Sequence, residues 1–334
     1  MSSKAARAAP VGLRDLRPGP GRFRADLVHG LSMRPPRIPS KYFYDRRGAL
    51  LFEEITGVDA YYPTRTELAI LEDCMAEIAR AIGLRACVVE LGSGSGLKTR
   101  LLLRHLEAPA SYVPVDIARA QLEELARSVA EMFPALEVLP ICADYTRDWS
   151  LPAPRPGVGR TVAFFPGSTI GNFERGEAQA FLRALAERCG PGGTLLMGVD
   201  LHKDSTTLEQ AYNDPEGVTA KFNLNLLHRI ARELGGEVDP DAFRHHAYYD
   251  EQRRRIEMRL VCERATEITL PADGAGSVAA VFSFRPGDWI HTEYSHKYAP
   301  DEMAALAESA GWRVSGLWTD PRQWFSVWLL ETAT

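Results

Sequence analysis

Short apolar runs alternate with amphipathic helices through the middle of this chain, and this alternation most constrains its fold. Five apolar runs are predicted to be strands: 86–91, 112–117, 136–141, 161–165 and 194–199. Helical spacing of apolar residues predicts helices over 66–82, 118–133 and 175–189. Near-continuous apolar strands separated by helices indicate βαβ units around a buried parallel sheet. Because such crossovers are right-handed, we expect a doubly wound α/β layer.

The alternation stops after Asp200. Helices are predicted over 206–212 and 218–234, and more polar, alternating strands over 243–249, 255–262, 277–284 and 289–296. A helix over 300–310 and a two-strand unit, 312–318 and 324–330, then close the chain. We therefore predict a Rossmann-like sheet that ends in an antiparallel hairpin and carries an inserted α+β substrate domain. By fold-level analogy, that ending is typical of class I methyltransferases, which bind S-adenosylmethionine (SAM), rather than of dehydrogenases.

Three parts are expected along the chain. Residues 1–20, rich in Arg, Pro and Gly, are predicted to be a mobile arm. Residues 21–65 with 201–297 would form a substrate-binding or lid domain. Residues 66–200 with 298–334 would form the cofactor-binding domain.

The composition excludes several classes of protein. Hydrophobic residues make up 45% and charged residues 25% of the chain, which is typical of a soluble globular protein. The net charge of −5 lacks the basic excess of nucleic-acid-binding proteins. The five cysteines are scattered and form no C-x-x-C pair, which argues against a disulfide framework or a zinc site. With no long apolar run and no secretory signal, we expect a cytoplasmic monomer acting on a small molecule, without nucleic-acid, membrane or metal partners.

A glycine-rich turn follows the first predicted strand of the sheet. It reads Gly92-Ser93-Gly94-Ser95-Gly96, and a helix is predicted to begin at about Leu97. Glycines there let the backbone approach a ligand closely, with N–H groups directed at it. A tight strand-to-helix turn without any ligand would have the same composition. The dinucleotide fingerprint requires glycine at position 97, so the spacing favours SAM.

Polar side chains near this turn complete a cofactor pattern. Asp116 ends the second strand and can accept from ribose hydroxyls, although it could equally cap the next helix. Asp144 and Tyr145 end the third strand, where the carboxylate can accept from the adenine amino group and the ring can pack on adenine; a loop-capping Asp is the alternative. Lys98 either faces solvent or meets the methionyl carboxylate. Together they predict a class I SAM site.

Several longer strings resemble one enzyme family. They are K-Y-F-Y-D at 41–45, Y-Y-P-T-R-T-E at 61–67, G-S-T-I-G-N at 167–172 and E-Y-S-H-K at 293–297. From about Lys41 to its C-terminus, the chain resembles the histidine Nα-methyltransferases of ergothioneine biosynthesis. These SAM-dependent enzymes trimethylate the α-amine of L-histidine to give hercynine.

The resemblance implies a role for each matching residue. Asn172 and Tyr212 would hold the amino-acid carboxylate, and Tyr44 would lie near the amine as the catalytic candidate. Phe52 could offer an aromatic face to the methylated ammonium. The residues implied around the imidazole are Tyr61, Met258, Glu293 and Ser295. The implied cofactor residues are Gly92, Lys98, Asp116, Asp144 and Tyr145, the last in place of the usual phenylalanine.

The chemistry of the implied imidazole pocket favours histidine over tryptophan. Glu293 can accept an imidazole N–H, and Ser295 can serve either ring nitrogen. The two residues are two apart on a predicted strand and so share a face, with Tyr294 and His296 on the other. Taken singly, Glu293 could be a surface strand charge and each tyrosine a core-edge aromatic. An indole has a single N–H and would leave a buried carboxylate poorly paired, which argues against tryptophan. Another aromatic amino acid remains the alternative substrate.

Three other functions share part of this pattern. A nicotinamide oxidoreductase would share the turn and Asp116 but not the terminal hairpin. A nucleic-acid methyltransferase would share the cofactor site, but the net charge opposes it and only the run Arg253-Arg254-Arg255 favours it. A non-catalytic SAM-binding protein need not retain Asn172, Tyr212 and Glu293 together.

Overall fold

A computed structural model of the chain describes residues 12–16, 20–147, 149–152, 157–272 and 279–333. Its strands are β1 (Arg14–Asp15), β2 (Cys87–Leu91), β3 (Ser111–Asp116), β4 (Glu137–Val138), β5 (Ile141–Cys142), β6 (Thr161–Phe165), β7 (Thr194–Asp200), β8 (Phe243–Asp250), β9 (Arg255–Cys262), β10 (Thr266–Leu270), β11 (Ala280–Phe284), β12 (Trp289–His296), β13 (Trp312–Thr319) and β14 (Phe325–Thr332). Its helices are α1 (Pro20–Leu31), α2 (Arg46–Gly57), α3 (Tyr62–Ile82), α4 (Leu97–His105), α5 (Arg119–Met132), α6 (Arg175–Cys189), α7 (Ser205–Tyr212), α8 (Val218–Leu234) and α9 (Pro300–Ser309).

The central sheet has the strand order β1-β5-β3-β2-β6-β7-β14-β13, and β4 pairs with β3. Strands β1 to β7 pair in parallel, whereas β14 runs antiparallel to both β7 and β13. All residues of β7 are buried, as expected of a parallel strand covered on both faces. The class I methyltransferase arrangement predicted from the terminal hairpin is therefore confirmed.

The two faces of the sheet carry separate hydrophobic cores. Val88 on β2 packs in a core with α3, α4 and α5, while its neighbour Val89 packs in another with α6 and α9. This division follows from the alternation of side chains along a strand. Helix α3 begins at Tyr62 rather than at residue 66, because Pro63 fits its first turn.

A third core joins two segments that are distant in sequence. Its buried residues lie between residues 23 and 62 and between residues 208 and 290. Phe43 stacks on Phe222 of α8 with ring centroids 4.4 Å apart. In this part of the chain, β12, β9 and β8 form a three-stranded antiparallel sheet, and β10 pairs with β11.

Sequence reasoning missed or misplaced several elements. Strand β10 and helices α1 and α2 were not predicted, and residues 277 and 278 of a predicted strand lie outside the described residues. Of the predicted mobile arm, residues 1–11 and 17–19 also lie outside them. Arg14 and Asp15 instead pair with Ile141 and Cys142 and extend the sheet by one strand. Backbone hydrogen bonds to an exposed sheet edge favour this strand even without apolar side chains.

The described residues contain no helix that combines the length and the apolar character needed to cross a bilayer.

Candidate active site

A cavity of about 280 Å³ opens at the carboxyl ends of β2, β3 and β6. This is the edge at which an open α/β sheet binds its ligands, because the strand-to-helix loops meet there. Nine predicted site residues line it: Tyr44, Phe52, Tyr61, Gly92, Lys98, Asp116, Asp144, Tyr145 and Asn172. The other four, Tyr212, Met258, Glu293 and Ser295, are not in the lining but contact or pair with one another and with lining residues.

The glycine turn after β2 is built from left-handed backbone. Gly92, Gly94 and Gly96 have φ values of 75°, 48° and 70°, which L side chains rarely adopt. A Cβ on Gly96 would also lie 2.2 Å from Cδ1 of Leu125. Glycine is therefore required by the turn itself, and the exposed backbone faces the cavity.

Asp116 connects the glycine turn to the next loop. Its Oδ2 accepts from the backbone N–H of Ser93 at 3.0 Å, and its Oδ1 accepts from that of Ala118 at 2.8 Å. Burial raises the pKa of Asp116, and these backbone donors oppose the rise. Asp116 thus holds the loop before α5 and lies on the cavity wall, but it is not the cap of that helix, whose N-cap residue is Ala118.

Asp144 is held by a lysine to which sequence reasoning gave no role. Its carboxylate accepts from Nζ of Lys41 at 3.1 Å and from the backbone N–H of Thr146 at 3.1 Å. Burial favours a higher pKa, but Thr146 and the Lys41 ammonium hold the pKa of Asp144 below its usual value. Lys41 also pairs with Asp26 of α1 at 2.8 Å. The third-strand carboxylate is therefore ionised and tied to the N-terminal helix.

Tyr145 lies beside the glycine turn. Its ring meets Phe165 edge-on with centroids 5.9 Å apart, and a Cβ on Gly92 would be 3.7 Å from its Cε1. The ring therefore forms an apolar wall of the cavity next to Asp116 and Asp144.

The anion nearest Lys98 belongs to the protein. Its Nζ pairs with Oε2 of Glu67, which is 1% exposed and also accepts from the backbone N–H of Gly167 at 2.9 Å. Glu67 is the last residue of the Y-Y-P-T-R-T-E string, and sequence reasoning gave it no role. Lys98 thus lines the cavity and is held in place by its ion pair with Glu67 of α3.

Glu90 is a second buried carboxylate that sequence reasoning did not assign. It lines the cavity, and both of its oxygens accept from Oγ1 of Thr99, at 2.8 and 2.7 Å. The Tyr112 hydroxyl donates to it as well. Burial raises the pKa of Glu90 to about 7. Its position near the end of β2, just before the glycine turn, is the sequence feature from which a place in the site could have been predicted.

Aromatic rings form the opposite wall of the cavity. The Phe52 ring lies 5.6 Å from that of Tyr44 and 6.3 Å from that of Tyr61, and the Tyr61 ring lies 6.2 Å from that of Tyr212. Burial raises the pKa of Tyr44 and of Tyr61 well above the usual value. Both phenols are therefore protonated at neutral pH and can donate hydrogen bonds.

Glu293 meets the cavity through Asn172. The Asn172 side-chain amide donates to Oε2 of Glu293 at 3.2 Å. Burial raises the pKa of Glu293 to about 7, and the Lys297 ammonium opposes the rise. Met258, 2% exposed, stands opposite Glu293 in the β9–β12 pair.

A β-bulge sets the direction of Glu293. The register of β12 shifts between His291 and Glu293, so Thr292 is an extra residue. As a result, His291 stacks on Tyr294, with centroids 3.8 Å apart, and Arg255 lies 3.6 Å from the Tyr294 ring centre. Tyr294 thus packs with these residues, while Glu293 contacts Asn172.

Ser295 and Tyr212 meet at a fully buried lysine. The Tyr212 hydroxyl donates to Oγ of Ser295 at 2.8 Å, and Nζ of Lys297 lies 2.8 Å from Ser295 Oγ and 3.1 Å from the Tyr212 oxygen. Lys297 also pairs with Asp200 at 2.7 Å, and Lys203 pairs with the same carboxylate at 2.6 Å. Burial favours a higher pKa, but the two ammonium groups hold the pKa of Asp200 below its usual value.

Neither Asp200 nor Lys297 was predicted as a site residue. Asp200 ends β7 at the same sheet edge as Asp116, and Lys297 follows Ser295 by two positions. Both signals were present in the sequence. Within the described ranges, no group of three or more His, Cys, Asp or Glu side chains is arranged to hold a metal ion.

A family model described as "Histidine-specific methyltransferase, SAM-dependent" matches residues 23–332. The chain belongs to this family. Membership confirms the family predicted from the sequence strings and makes the protein a SAM-dependent methyltransferase, with SAM as its cofactor.

Relatives of this family member match most of its length. The "Histidine N-alpha-methyltransferase" of Mycolicibacterium smegmatis is 38% identical over 302 residues, which cover 90% of this chain and 91% of that protein. "Ergothioneine biosynthesis protein 1" of Neurospora crassa is 32% identical over 307 residues, which cover 85% of this chain and 32% of that protein. The crystal structure of a SAM-dependent methyltransferase from Clostridium acetobutylicum aligns with a TM-score of 0.47 and 10% identity, covering 86% of this chain and 98% of that chain.

Proposed function

We propose that this methyltransferase transfers up to three methyl groups to the α-amine of L-histidine and produces hercynine for ergothioneine biosynthesis. The observation that carries the proposal is the pairing of Glu293, a hydrogen-bond acceptor, with the hydroxyl of Ser295 two residues later on β12. An imidazole offers one N–H and one accepting nitrogen, which matches this pair. The names of the Mycolicibacterium and Neurospora relatives support the same substrate and pathway.

The cofactor end of the cavity suits SAM. The left-handed glycine turn at Gly92 leaves open backbone beside the Tyr145 ring, which is a cradle for a flat, polar ligand. In the proposed arrangement, Asp116 accepts from the ribose hydroxyls and Asp144 from the adenine amino group, while Lys98 faces the methionyl carboxylate. When bound, SAM supplies the methyl group carried on its sulfonium.

At the other end, the side-chain amide of Asn172 holds the substrate carboxylate. The Tyr212 hydroxyl, which the resemblance assigned to the same carboxylate, donates its one proton to Ser295 and acts on the substrate through that residue. One amide hydrogen of Asn172 is used on Glu293, which leaves the other for the substrate. The amide is neutral, so it binds a carboxylate without competing for the methyl group. Tyr61 and Met258 shape the apolar part of the ring pocket.

The amine is oriented by hydrogen bonding and by exclusion of water. The oxygen of Tyr44 accepts from an N–H of the amine and orients it, which leaves the nitrogen lone pair free to attack the methyl group. Because burial keeps the phenol protonated, Tyr44 is not a strong base. Positioning of two reactants is worth up to about 7–11 kcal/mol of the barrier, so little other machinery is needed. The faces of Phe52 and Tyr44 suit an amine that becomes more methylated and finally cationic.

The proposed assignment of substrate and cofactor binding corresponds to the separate hydrophobic cores. We propose that residues 21–65 with 201–297 bind the amino acid and cover the ternary complex, and that residues 66–200 with 298–334 bind SAM. We further propose that the protein works as a cytoplasmic monomer, without nucleic-acid or membrane partners.

Mass spectrometry of the purified protein with SAM and, in parallel, L-histidine, L-tryptophan and L-tyrosine tests the proposal. We expect gains of one, two and three methyl groups on histidine alone. Methylation of tryptophan in place of histidine would contradict the substrate while leaving the enzyme class intact. SAM binding without transfer to any amino acid would indicate a non-catalytic protein.

A further inference from the structure

We propose that Lys297 is a positioning residue that fixes Ser295 as a hydrogen-bond donor and thereby selects a substrate ring with an accepting nitrogen. The inference rests on the proposed histidine specificity and deepens it. Lys297 is not among the residues that line the cavity, and it acts on the proposed substrate through its hydrogen bonds to Ser295 and Tyr212. Its charge also favours the ionised form of Glu293, an effect that histidine and a ring with a single N–H share equally.

The position of Lys297 is unusual for a cation. Its side chain is 0% exposed, and its ammonium lies between β7 and the ring-binding residues of β12. An ammonium has three N–H donors and no acceptor. All three are used, on Asp200 at 2.7 Å, on Ser295 at 2.8 Å and on Tyr212 at 3.1 Å.

Counting donors and acceptors gives the direction of the Ser295 hydroxyl. A serine oxygen accepts at two lone pairs and donates one proton. Here it accepts from Lys297 and from the Tyr212 hydroxyl, so both lone pairs are occupied. In the described part of the chain, no acceptor for the Ser295 proton is found. That proton is left for a ligand, and the hydroxyl cannot accept from one.

The paired residue has the opposite polarity. The carboxylate of Glu293 accepts from Asn172 and, when ionised, can only accept. The two residues thus present one acceptor and one donor to the ring. An imidazole satisfies both, with its N–H on Glu293 and its bare nitrogen on Ser295. A ring with an N–H but no second nitrogen leaves the Ser295 proton unsatisfied.

Without Lys297, this polarity would be lost. Ser295 would have a free lone pair and could rotate its proton toward Tyr212, so it could then accept as easily as donate. Lys203 offers a matched control, because it pairs with the same Asp200 at 2.6 Å but contacts Tyr62 rather than Ser295 or Tyr212. Lys297→Met and Lys203→Met each remove one buried ammonium of this cluster.

The probes are L-histidine and the two isomeric pyrrolylalanines, each of which keeps one ring N–H and replaces the other ring nitrogen by C–H. Methyl transfer is measured for wild type and both variants, with melting curves to establish folding. In wild type, we expect the better pyrrole to have a KM about 30-fold or more above that of histidine, since an unsatisfied buried donor is costly. In Lys297→Met, the histidine KM rises about tenfold while kcat at saturation stays within about threefold. In this variant, the ratio of the pyrrole KM to the histidine KM (the KM gap) shrinks to within about fivefold. Lys203→Met keeps the wild-type gap.

Two results would overturn the assignment: a folded Lys297→Met enzyme that keeps the wild-type gap, or a Lys203→Met enzyme that loses it equally. If Lys297→Met does not fold, the wild-type kinetics still test the assignment. A pyrrole with the same KM as histidine would contradict a hydrogen-bond donor at Ser295. These outcomes presuppose that wild type methylates histidine. Failure of that reaction would instead contradict the proposed function.

Discussion

The two ends of the cavity hold their polar groups in different ways. At the cofactor end, Asp116 is bonded by the backbone N–H groups of Ser93 and Ala118, which lie in the loops after β2 and β3. Asp144, at the same end, also accepts from the backbone of Thr146, and its distant partner is Lys41. At the substrate end, Glu293 is bonded by Asn172, 121 residues away. Ser295 is bonded by Tyr212, 83 residues away. Backbone N–H groups of nearby loops thus bond both carboxylates of the cofactor end, whereas the polar groups of the substrate end are bonded by side chains that are distant in sequence.

The buried carboxylates at the substrate end also differ from each other. Asp200 has two ammonium partners, which hold its pKa below the usual value. Glu293 accepts from the amide of Asn172 and has no ion pair among the described residues, and burial raises its pKa to about 7. An isolated buried carboxylate is costly to ionise, so its presence in a ligand pocket indicates a functional role. The two ends should therefore respond separately to substitution.

The largest effect is expected for Glu293→Ala. The variant loses the only carboxylate proposed to accept the ring N–H, and hydrogen bonds to charged groups are worth about 1.5–3 kcal/mol each. The kcat/KM for histidine should fall about 100-fold, while the Kd for SAM stays within about twofold. Parallel steady-state kinetics and SAM titration measure both. An equal weakening of SAM binding would contradict the conclusion that the two ends of the cavity respond separately to substitution.

The reverse pattern is expected for Asp116→Asn. The amide keeps one acceptor for the Ser93–Ala118 region but gives a weaker bond to a ribose hydroxyl, so the Kd for SAM should rise about tenfold. Histidine binding in the absence of SAM should not change. Isothermal titration with each ligand separates the two, and a loss confined to histidine would contradict the cofactor assignment of Asp116.

A pH dependence sharpens the comparison further. Glu293, with a pKa of about 7, is a much stronger acceptor for the ring N–H when it is ionised, which is the case above about pH 7. Histidine affinity should therefore fall toward tenfold per pH unit below that value. Because the histidine ring itself titrates near pH 6.5, Glu293→Gln serves as the control and should show only the ring's own dependence. Identical profiles for the two proteins would exclude Glu293 from ring binding.

The last expected effect concerns the free energy of unfolding rather than ligand binding. The raised pKa of Glu293 means that the folded state binds this proton more tightly than the unfolded chain, in which a glutamate titrates near pH 4.3. Stability contributed by this group therefore falls as pH rises from about 4.3 to about 7. Because glutamine does not titrate, Glu293→Gln should be more stable than wild type at pH 8 by up to about 3–4 kcal/mol. The gain should vanish near pH 4.5. Urea unfolding at both pH values checks this, and a gain present equally at both would argue against ionisation as its cause.

The same comparison explains what could be predicted from sequence. Strand β6 and helix α6 match their predicted bounds because apolar periodicity is local, and the glycine turn follows β2 as expected. Strand β10 was missed because its five residues, Thr-Glu-Ile-Thr-Leu, form a short and partly polar alternation. The bulge at Thr292 was missed because nothing in the alternation of β12 reveals an extra residue.

Pairings between distant side chains were the main omission at the site. The Lys98–Glu67 and Lys297–Asp200 pairs join residues 31 and 97 positions apart. Each cation was visible in the sequence, and its partner depends on how the strands and helices are packed. The residue types at the site were therefore predictable, whereas their hydrogen-bond directions required the structure.

The most direct test of the account is a crystal structure of the protein with L-histidine and S-adenosylhomocysteine. The account predicts one ring nitrogen within about 2.6–3.2 Å of a Glu293 oxygen and the other within the same distance of Ser295 Oγ. It also predicts the substrate carboxylate on the side-chain amide of Asn172. A histidine whose ring lies away from both Glu293 and Ser295, or whose carboxylate occupies their place, would contradict it.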